Sequence, residues 1–332
     1  MLKVAINGFG RIGRAAAKII LERDDLELVA INDLGEVEAL AHLLKYDSSY
    51  GIYPIEVGYD EGDLLVGSRR IHVFSEKEPE KLPWRDLGID VVIESTGVFT
   101  TSAGASAHLV AGAKKVIISA PAKDKETKTF VMGVNEDKYR DEKIISCASC
   151  TTNCVAPIMK ALEEEYGIEK SLMTTIHSYT ADQNLVDGPH KDLRRGRAAA
   201  LNIVPTSTGA AKTTGLVIPE LKDNFDGLAI RVPTPVASLS DITVLLMKET
   251  TVEKLNELFE KVSAGKLKGI VTTTDEPLVS SDIVGNKFSS IVDLSLTQVV
   301  DGNLIKIIAW YDNEWGYSER LVDLASFIGS QN

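Results

Sequence analysis

The sequence predicts an α/β domain built on a parallel sheet, followed by an α+β domain with a mostly antiparallel sheet. Three observations predict it. The first half alternates short, continuously apolar runs with helical stretches, the pattern of strands covered on both faces. The first of those runs leads into a glycine triplet that opens a helix. After about residue 150 the pattern changes to longer strands with alternating faces, interspersed with amphipathic helices.

Each element can be read in order. Val4-Ala5-Ile6 is a buried strand, and Arg11 to Arg23 has helical periodicity, with Ala15, Ala16, Ile19 and Ile20 on the apolar side. Leu28 to Ile31 is the next strand and Val37 to Tyr46 the next helix. Val91-Val92-Ile93, a helix near Ala103 to Ala111, Lys115 to Ile118 and Ile144-Ile145 follow. In the second half a helix is expected over Thr151–Tyr166 and a strand over Ser171–Tyr179. Residues 180–208 form a polar segment too long for a simple connector. Strands are expected at Ile230–Val232, Ser240–Lys248 and Ile305–Trp310. Thr251 caps a helix to Ser263, and Ser318 to Ile328 is a terminal helix. The change of pattern puts the domain boundary near residue 149.

Composition bounds the function. The 332 residues allow about two domains of ordinary size. At 44% hydrophobic and 25% charged, each can bury a core without a disulfide or metal staple. Asp and Glu number 48 against 36 Lys and Arg, a net charge of -12, so neither nucleic acid nor a membrane surface is an expected partner. The three cysteines all lie between 147 and 154, an odd number that points to reduced thiols in a cytoplasmic protein. The N-terminal residues lack the basic-then-apolar order of a signal peptide. No apolar run reaches the roughly 20 residues of a membrane span.

Gly8-Phe9-Gly10-Arg11-Ile12-Gly13 fits the G-x-G-x-x-G fingerprint of a Rossmann-type dinucleotide site. Gly8 makes the tight turn, Gly10 admits the pyrophosphate, and Gly13 lets helix and strand approach; the phosphates sit on the helix N-terminus. Asp33 lies 20 residues past Gly13, the spacing of the carboxylate that accepts the ribose hydroxyls. It would repel a 2′-phosphate, which favours NAD over NADP. A glycine-rich turn in another α/β protein, or Asp33 as a helix N-cap, would share these positions without selecting a cofactor.

Ser146-Cys147-Ala148-Ser149-Cys150-Thr151-Thr152-Asn153-Cys154 is the densest chemical feature. The five histidines are scattered without metal-ligand spacing, so no metal site is expected. Cys147-x-x-Cys150 lies far from the first βαβ unit, where a redox pair would sit. Ser149 or Cys150 lies at the boundary between strand and helix, where free N–H groups and the dipole would lower a thiol's pKa from ~8.5 toward roughly 3.5–7.5. Of the three cysteines, Cys150 fits that place best. It is the candidate nucleophile, while Cys147 and Cys154 read as packing residues. His177 ends a strand and is a candidate base, a position equally open to a packed or surface histidine.

These residues, with His190-Lys191-Asp192-Leu193-Arg194-Arg195, Thr208-Gly209-Ala210-Ala211-Lys212, Arg231-Val232-Pro233-Thr234 and Trp310 to Tyr317, resemble the phosphorylating glyceraldehyde-3-phosphate dehydrogenase family over essentially the whole chain. The resemblance implies oxidation of glyceraldehyde 3-phosphate with NAD and inorganic phosphate, through a thioester on Cys150 with His177 as base. It implies NAD contacts at Gly8, Gly10, Arg11, Ile12, Gly13, Asp33, Ser119 and Asn313. It assigns Ser149, Thr151, Thr208 and Gly209 to the attacking phosphate, and Thr180, Arg195 and Arg231 to the substrate phosphate. It implies a homotetramer with residues 180–200 at a subunit interface. The expected domains are 1–149 and 150–313, with the helix 314–332 returned to the first.

Two departures and a rival bear on this reading. Gly188 stands where many NAD-preferring members carry Leu, which leaves room for NADP, and Asp182 follows Thr180-Ala181. Lys191, Arg194 and Arg197 are as well read as a solvated or interface charge run. Erythrose-4-phosphate dehydrogenase resembles the same pattern and needs no inorganic phosphate; the intact Thr208–Lys212 segment favours the phosphorylating reaction.

Overall fold

The computed structural model describes residues 1–331. The chain divides into two compact units. The first comprises residues 1–130, 137–148 and the chain from Ser318 onward; the second comprises 131–136 and 149–317. Asn332, the end of the expected terminal helix, lies outside the described residues.

The first unit is built on a nine-stranded sheet in the order Lys128–Thr129, Ile144–Ser146, Lys115–Ile118, Val91–Glu94, Leu2–Asn7, Leu26–Asn32, Arg69–Phe74, Asp63–Val66, Val57–Asp60. All pairs are parallel as far as Arg69–Phe74. The last two strands turn back antiparallel, a ribbon the sequence reading did not foresee. Its strands are only four residues long and partly exposed, too short to set a clear alternation. The central strands are buried on both faces: Val4, Ala5, Ile6, Ala30, Ile31, Val91, Val92 and Ile93 are all inaccessible. Leu2–Asn7 pairs with Leu26–Asn32 on one side and Val91–Glu94 on the other. The chain order therefore reverses at its carboxyl end, where a doubly wound sheet opens its binding crevice.

Helix Arg11–Leu21 buries Ala15, Ala16, Ile19 and Ile20, the side its periodicity predicts. The terminal helix Trp315–Ser330 starts three residues before its expected first turn. Within the first unit it is tied down at two points: Asp323 accepts from Arg23 at 2.7 Å, and the Ile328 carbonyl accepts from the buried Lys115 ammonium at 2.6 Å.

The second unit holds an eight-stranded sheet ordered Val204–Ser207, Phe225–Val232, Ile168–Ser178, Ser238–Leu246, Leu304–Tyr311, Ser290–Asp293, Val271–Thr274, with Gln298–Val300 paired on Leu304–Tyr311. It is mostly antiparallel, with two parallel pairs. Alternation decides what faces the covering helices. Along Ile168–Ser178, Ser171, Met173, Thr175 and His177 point to the buried side; along Ser238–Leu246, Ile242, Val244 and Leu246 do the same. Helix Cys150–Tyr166 packs on this side. Thr251 caps Val252–Ala264, its hydroxyl accepting the Lys254 N–H.

Candidate active site

In the first unit the glycine loop lines a cavity of about 450 Å3 at the carboxyl ends of the central strands. Gly8, Gly10 and Asp33 line it, together with Asn7, Asn32, Ser95 and Thr96. Each glycine has a separate reason. Gly8 has φ +94, and a Cβ there would lie 2.6 Å from the Thr96 nitrogen. A Cβ on Gly13 would collide with the Gly8 carbonyl oxygen. A Cβ on Gly10 would meet nothing of the protein within 4 Å, so the protein itself does not demand glycine there. A ligand backbone approaching the loop does, which is how these residues fit a dinucleotide. Helix Arg11–Leu21 has no acidic residue in its first turn, leaving its positive end open to phosphate.

The remaining expected contacts are placed as follows. Asp33 accepts the Phe9 N–H at 2.7 Å and the Gly35 N–H at 2.9 Å, holding the glycine loop against the turn after the second strand. It is not the helix N-cap; Glu36 occupies that position. Arg11 pairs with Asp47 at 2.6 Å, its guanidinium 5.5 Å from the Tyr50 ring. Ile12 is half-buried in the first turn of the helix. Ser119 follows strand Lys115–Ile118 and donates its N–H to the Glu94 carbonyl at 2.9 Å.

In the second unit Cys150 is the first residue of its helix. Ser149 caps it, the hydroxyl accepting the Thr152 N–H at 3.1 Å. Cys150 Sγ lies 3.4 Å from His177 Nε2. His177 Nδ1 lies 2.7 Å from the Ser178 carbonyl, which also accepts from the Arg231 guanidinium at 3.0 Å. The carbonyl only accepts, and the Arg231 guanidinium, 3.0 Å from the same nitrogen, only donates. The shorter carbonyl contact assigns the proton to Nδ1, and Nε2 then turns a lone pair to the thiol. Burial and the neighbouring Arg231 charge push the His177 pKa down to about 3, so the ring is neutral at physiological pH.

The thiol corrects an expectation. The helix N-terminus predicts a depressed Cys150 pKa, but burial pushes the thiol up. The Arg231 charge and the Thr151 N–H and hydroxyl oppose that rise without cancelling it. Desolvating a charge costs more than a helix terminus returns. None of the three cysteines is joined in a disulfide, and burial carries Cys154 up to about 12.

Around this pair, Arg231 also reaches the Thr180 hydroxyl at 3.4 Å, and its Nε is buried with no partner within the protein. Burial pushes the Arg231 pKa down. Arg195 is held by the Asp182 carboxylate, the Thr206 hydroxyl at 3.0 Å and the Ser207 carbonyl at 3.1 Å. Its charge is felt at both His177 and Arg231. Asp182, a minor variation in sequence terms, is thus one of its anchors. Thr208 and Gly209 stand at the start of helix Ala210–Val217, the Thr208 hydroxyl accepting the Ala210 N–H at 3.2 Å. Thr151 is different: its buried hydroxyl meets Tyr311 at 2.9 Å.

Tyr311 is the residue that the motifs did not single out. Its hydroxyl joins Thr151 to Thr175 (2.8 Å), and its ring lies edge-on to His177 at 6.0 Å. Parity would have found it, because Ile305, Ile307, Ala309 and Tyr311 share the buried side of one strand. Asn313 is buried, its side-chain oxygen accepting from Ser178 at 2.8 Å and Ser238 at 3.0 Å. That fixes the carboxamide with its NH2 turned away from both serines.

Nucleotide-dependent oxidation at a thiol is the class that the loop and the Cys150–His177 pair define. Residues 2–102 match the NAD binding domain of glyceraldehyde 3-phosphate dehydrogenase, and residues 149–313 match its C-terminal domain. The chain is 54% identical to glyceraldehyde-3-phosphate dehydrogenase 2 of Streptomyces avermitilis over 333 residues, 99% of both chains. It is 56% identical to glyceraldehyde-3-phosphate dehydrogenase of Mycobacterium tuberculosis over 336 residues, 99% of this chain and 98% of the other. The chain belongs to the glyceraldehyde 3-phosphate dehydrogenase family, and it is an NAD-dependent oxidoreductase.

Proposed function

We propose that the chain oxidises D-glyceraldehyde 3-phosphate to 1,3-bisphosphoglycerate with NAD and inorganic phosphate, a step of glycolysis and gluconeogenesis. The observation that carries this reading is the Cys150–His177 contact of 3.4 Å with a neutral ring whose lone pair faces the sulfur. His177 takes the thiol proton as Cys150 sulfur bonds the aldehyde carbon, and returns it to the oxygen to give a hemithioacetal. Bound NAD supplies the acceptor for the hydrogen that leaves this carbon as hydride. His177 takes the hydroxyl proton, and a thioester remains on Cys150. A phosphate oxygen then attacks the thioester carbon, the carbon–sulfur bond breaks, and the departing sulfur recovers the proton from His177.

Two anions must be held beside the sulfur. In this reading Arg231, Thr180 and Arg195 hold the substrate phosphate, which gives the buried, unpartnered Arg231 Nε an acceptor. Ser149, Thr151, Thr208 and Gly209 serve the attacking phosphate, supported by two helix N-termini without acid in their first turns. The Thr151 hydroxyl, turned to Tyr311, leaves the N–H as its contribution. Gly8, Gly10, Arg11, Ile12, Gly13, Asp33 and Ser119 bind NAD, and the Asn313 NH2 orients the nicotinamide carboxamide. Residues 1–149 with the terminal helix then form the cofactor domain and 150–313 the catalytic domain.

The chain works as a homo-oligomer, a homotetramer by family resemblance. Leu172 is 65% exposed and Leu228 45% exposed on the sheet side opposite helix Cys150–Tyr166, and Leu185, Val186, Leu193, Leu201 and Ile203 are exposed in the 180–208 segment. So much apolar surface suits a second copy of the chain. Three free thiols suit the reducing cytoplasm, and no helix among the described residues is long and apolar enough to cross a membrane. Steady-state rates with glyceraldehyde 3-phosphate, with and without inorganic phosphate, test the reaction. Undiminished turnover without phosphate would overturn it in favour of a water-resolved thioester. Light scattering on a sizing column tests the assembly, and a monomer at micromolar concentration contradicts it.

A further inference from the structure

Beneath the dinucleotide cavity lies a buried polar network that the chemistry above does not use. His108 is wholly inaccessible, Glu94 is 2% exposed and Trp84 is wholly inaccessible. Trp84 Nε1 lies 3.0 Å from His108 Nδ1, and His108 Nε2 lies 3.0 Å from Glu94 Oε2. The same Glu94 oxygen accepts the Asn7 NH2 at 2.5 Å, while Glu94 Oε1 accepts the Thr96 N–H at 2.9 Å and the Thr96 hydroxyl. The Asn7 side-chain oxygen in turn accepts from Asn32 Nδ2 at 2.7 Å. Asn32 closes on the Glu76 backbone, donating to its carbonyl at 2.9 Å and accepting its N–H at 2.8 Å.

The chain of bonds runs one way. An indole N–H only donates, so His108 Nδ1 accepts and Nε2 carries the proton. That proton is directed at Glu94, which accepts four donors and fills a carboxylate's capacity. With Glu94 an acceptor only, Asn7 must present its NH2 there and its oxygen to Asn32. The Asn32 amide is fixed in the same way. Each orientation is thus set from Trp84 inward, and it ends on Asn7, Asn32, Glu76 and Thr96, four residues that line the cavity. A network this deeply buried is costly when any member loses its partner.

We propose that Glu94 and His108 are positioning residues for NAD, holding the carboxyl ends of the three central strands in the arrangement that the cofactor requires. The proposal rests on the NAD reading above. Its distinguishing feature is that polarity, not packing, carries the effect. A glutamine at 108 can accept from the indole and donate to Glu94; a leucine can do neither. The test titrates the full-length protein with NAD by calorimetry and records tryptophan emission and the melting temperature without NAD. His108→Leu is expected to weaken NAD binding about tenfold or more, the loss of one hydrogen bond to a buried charge. Its kcat at saturating NAD should stay within about threefold, because the Cys150 machinery is untouched. Its Trp84 emission should shift with the loss of the indole acceptor, and His108→Gln should restore both affinity and emission. Should His108→Leu fail to fold, Trp84→Phe removes the donor that sets the tautomer and is expected to weaken NAD severalfold. A folded His108→Leu or Trp84→Phe with wild-type NAD affinity overturns the proposal, whatever its melting temperature. A wild-type protein that does not bind NAD overturns the cofactor reading and the proposal with it.

Discussion

The two units build their candidate sites from different materials. The first uses backbone. Its loop is glycine at 8, 10 and 13, it leads into a helix N-terminus with no acid in its first turn, and Asp33 spends both oxygens on the loop and the adjoining turn. The second adds to its helix N-termini a set of side chains drawn from separate elements: Cys150 from a helix, His177 and Arg231 from neighbouring strands, Tyr311 from a fourth element. The difference teaches what each site tolerates. A backbone site depends on shape and is damaged by adding atoms. A side-chain site depends on charge and proton placement and is damaged by changing one functional group.

Substitutions can break that comparison, beginning with the largest effect. Cys150→Ser is expected to lower kcat by about 10⁴ or more, since the weaker nucleophile faces the same buried base. Turnover near wild-type in a steady-state assay would remove the thiol from its role. His177→Asn should lower kcat by about 10²–10⁴ with the fold intact by circular dichroism. Arg231→Met should raise the KM for glyceraldehyde 3-phosphate and slow Cys150 alkylation at fixed pH. It removes the one guanidinium that opposes the burial-driven rise of the thiol, and each pKa unit is worth about tenfold in thiolate. Unchanged iodoacetamide kinetics would show that the thiol does not feel this charge. In the first unit Asp33→Gly should shift the NADP-to-NAD ratio of kcat/KM by about tenfold toward NADP. It should also weaken NAD, because the Phe9 and Gly35 N–H groups lose their acceptor.

The last expected effect is read on stability against pH rather than on turnover. His177 ionises at about 3 in the folded chain against an ordinary 6.5. Below 6.5 the unfolded chain takes up a proton that the folded one refuses, so stability falls as pH drops from 6.5 toward 3. Urea midpoints of wild type and His177→Asn measured across that range should converge on acidification. Parallel curves would show that His177 is not held neutral.

Legibility in the sequence follows the same division. The glycine loop and its flanking strands are contiguous, so local pattern carries fold and site together. Cys150 was legible from its place at a helix start, but the direction of its pKa was not, because burial is decided by distant chain. His177 lies 27 residues on and Arg231 a further 54, and nothing local ties them to the thiol. Tyr311 joins Thr151 across 160 residues. The ribbon Val57–Val66 was missed because strands of four residues are too short to set a clear alternation. Asp182 was passed over because only the folded segment shows it gripping Arg195.

The central claim is that a thioester on Cys150 waits for phosphate. The direct measurement is rapid mixing of the enzyme with NAD and glyceraldehyde 3-phosphate in phosphate-free buffer, following NADH absorbance. A burst stoichiometric with Cys150 that stops, and resumes as steady turnover when phosphate is added, is the expected result. Sustained turnover without phosphate, or a burst that survives in Cys150→Ser, would contradict it.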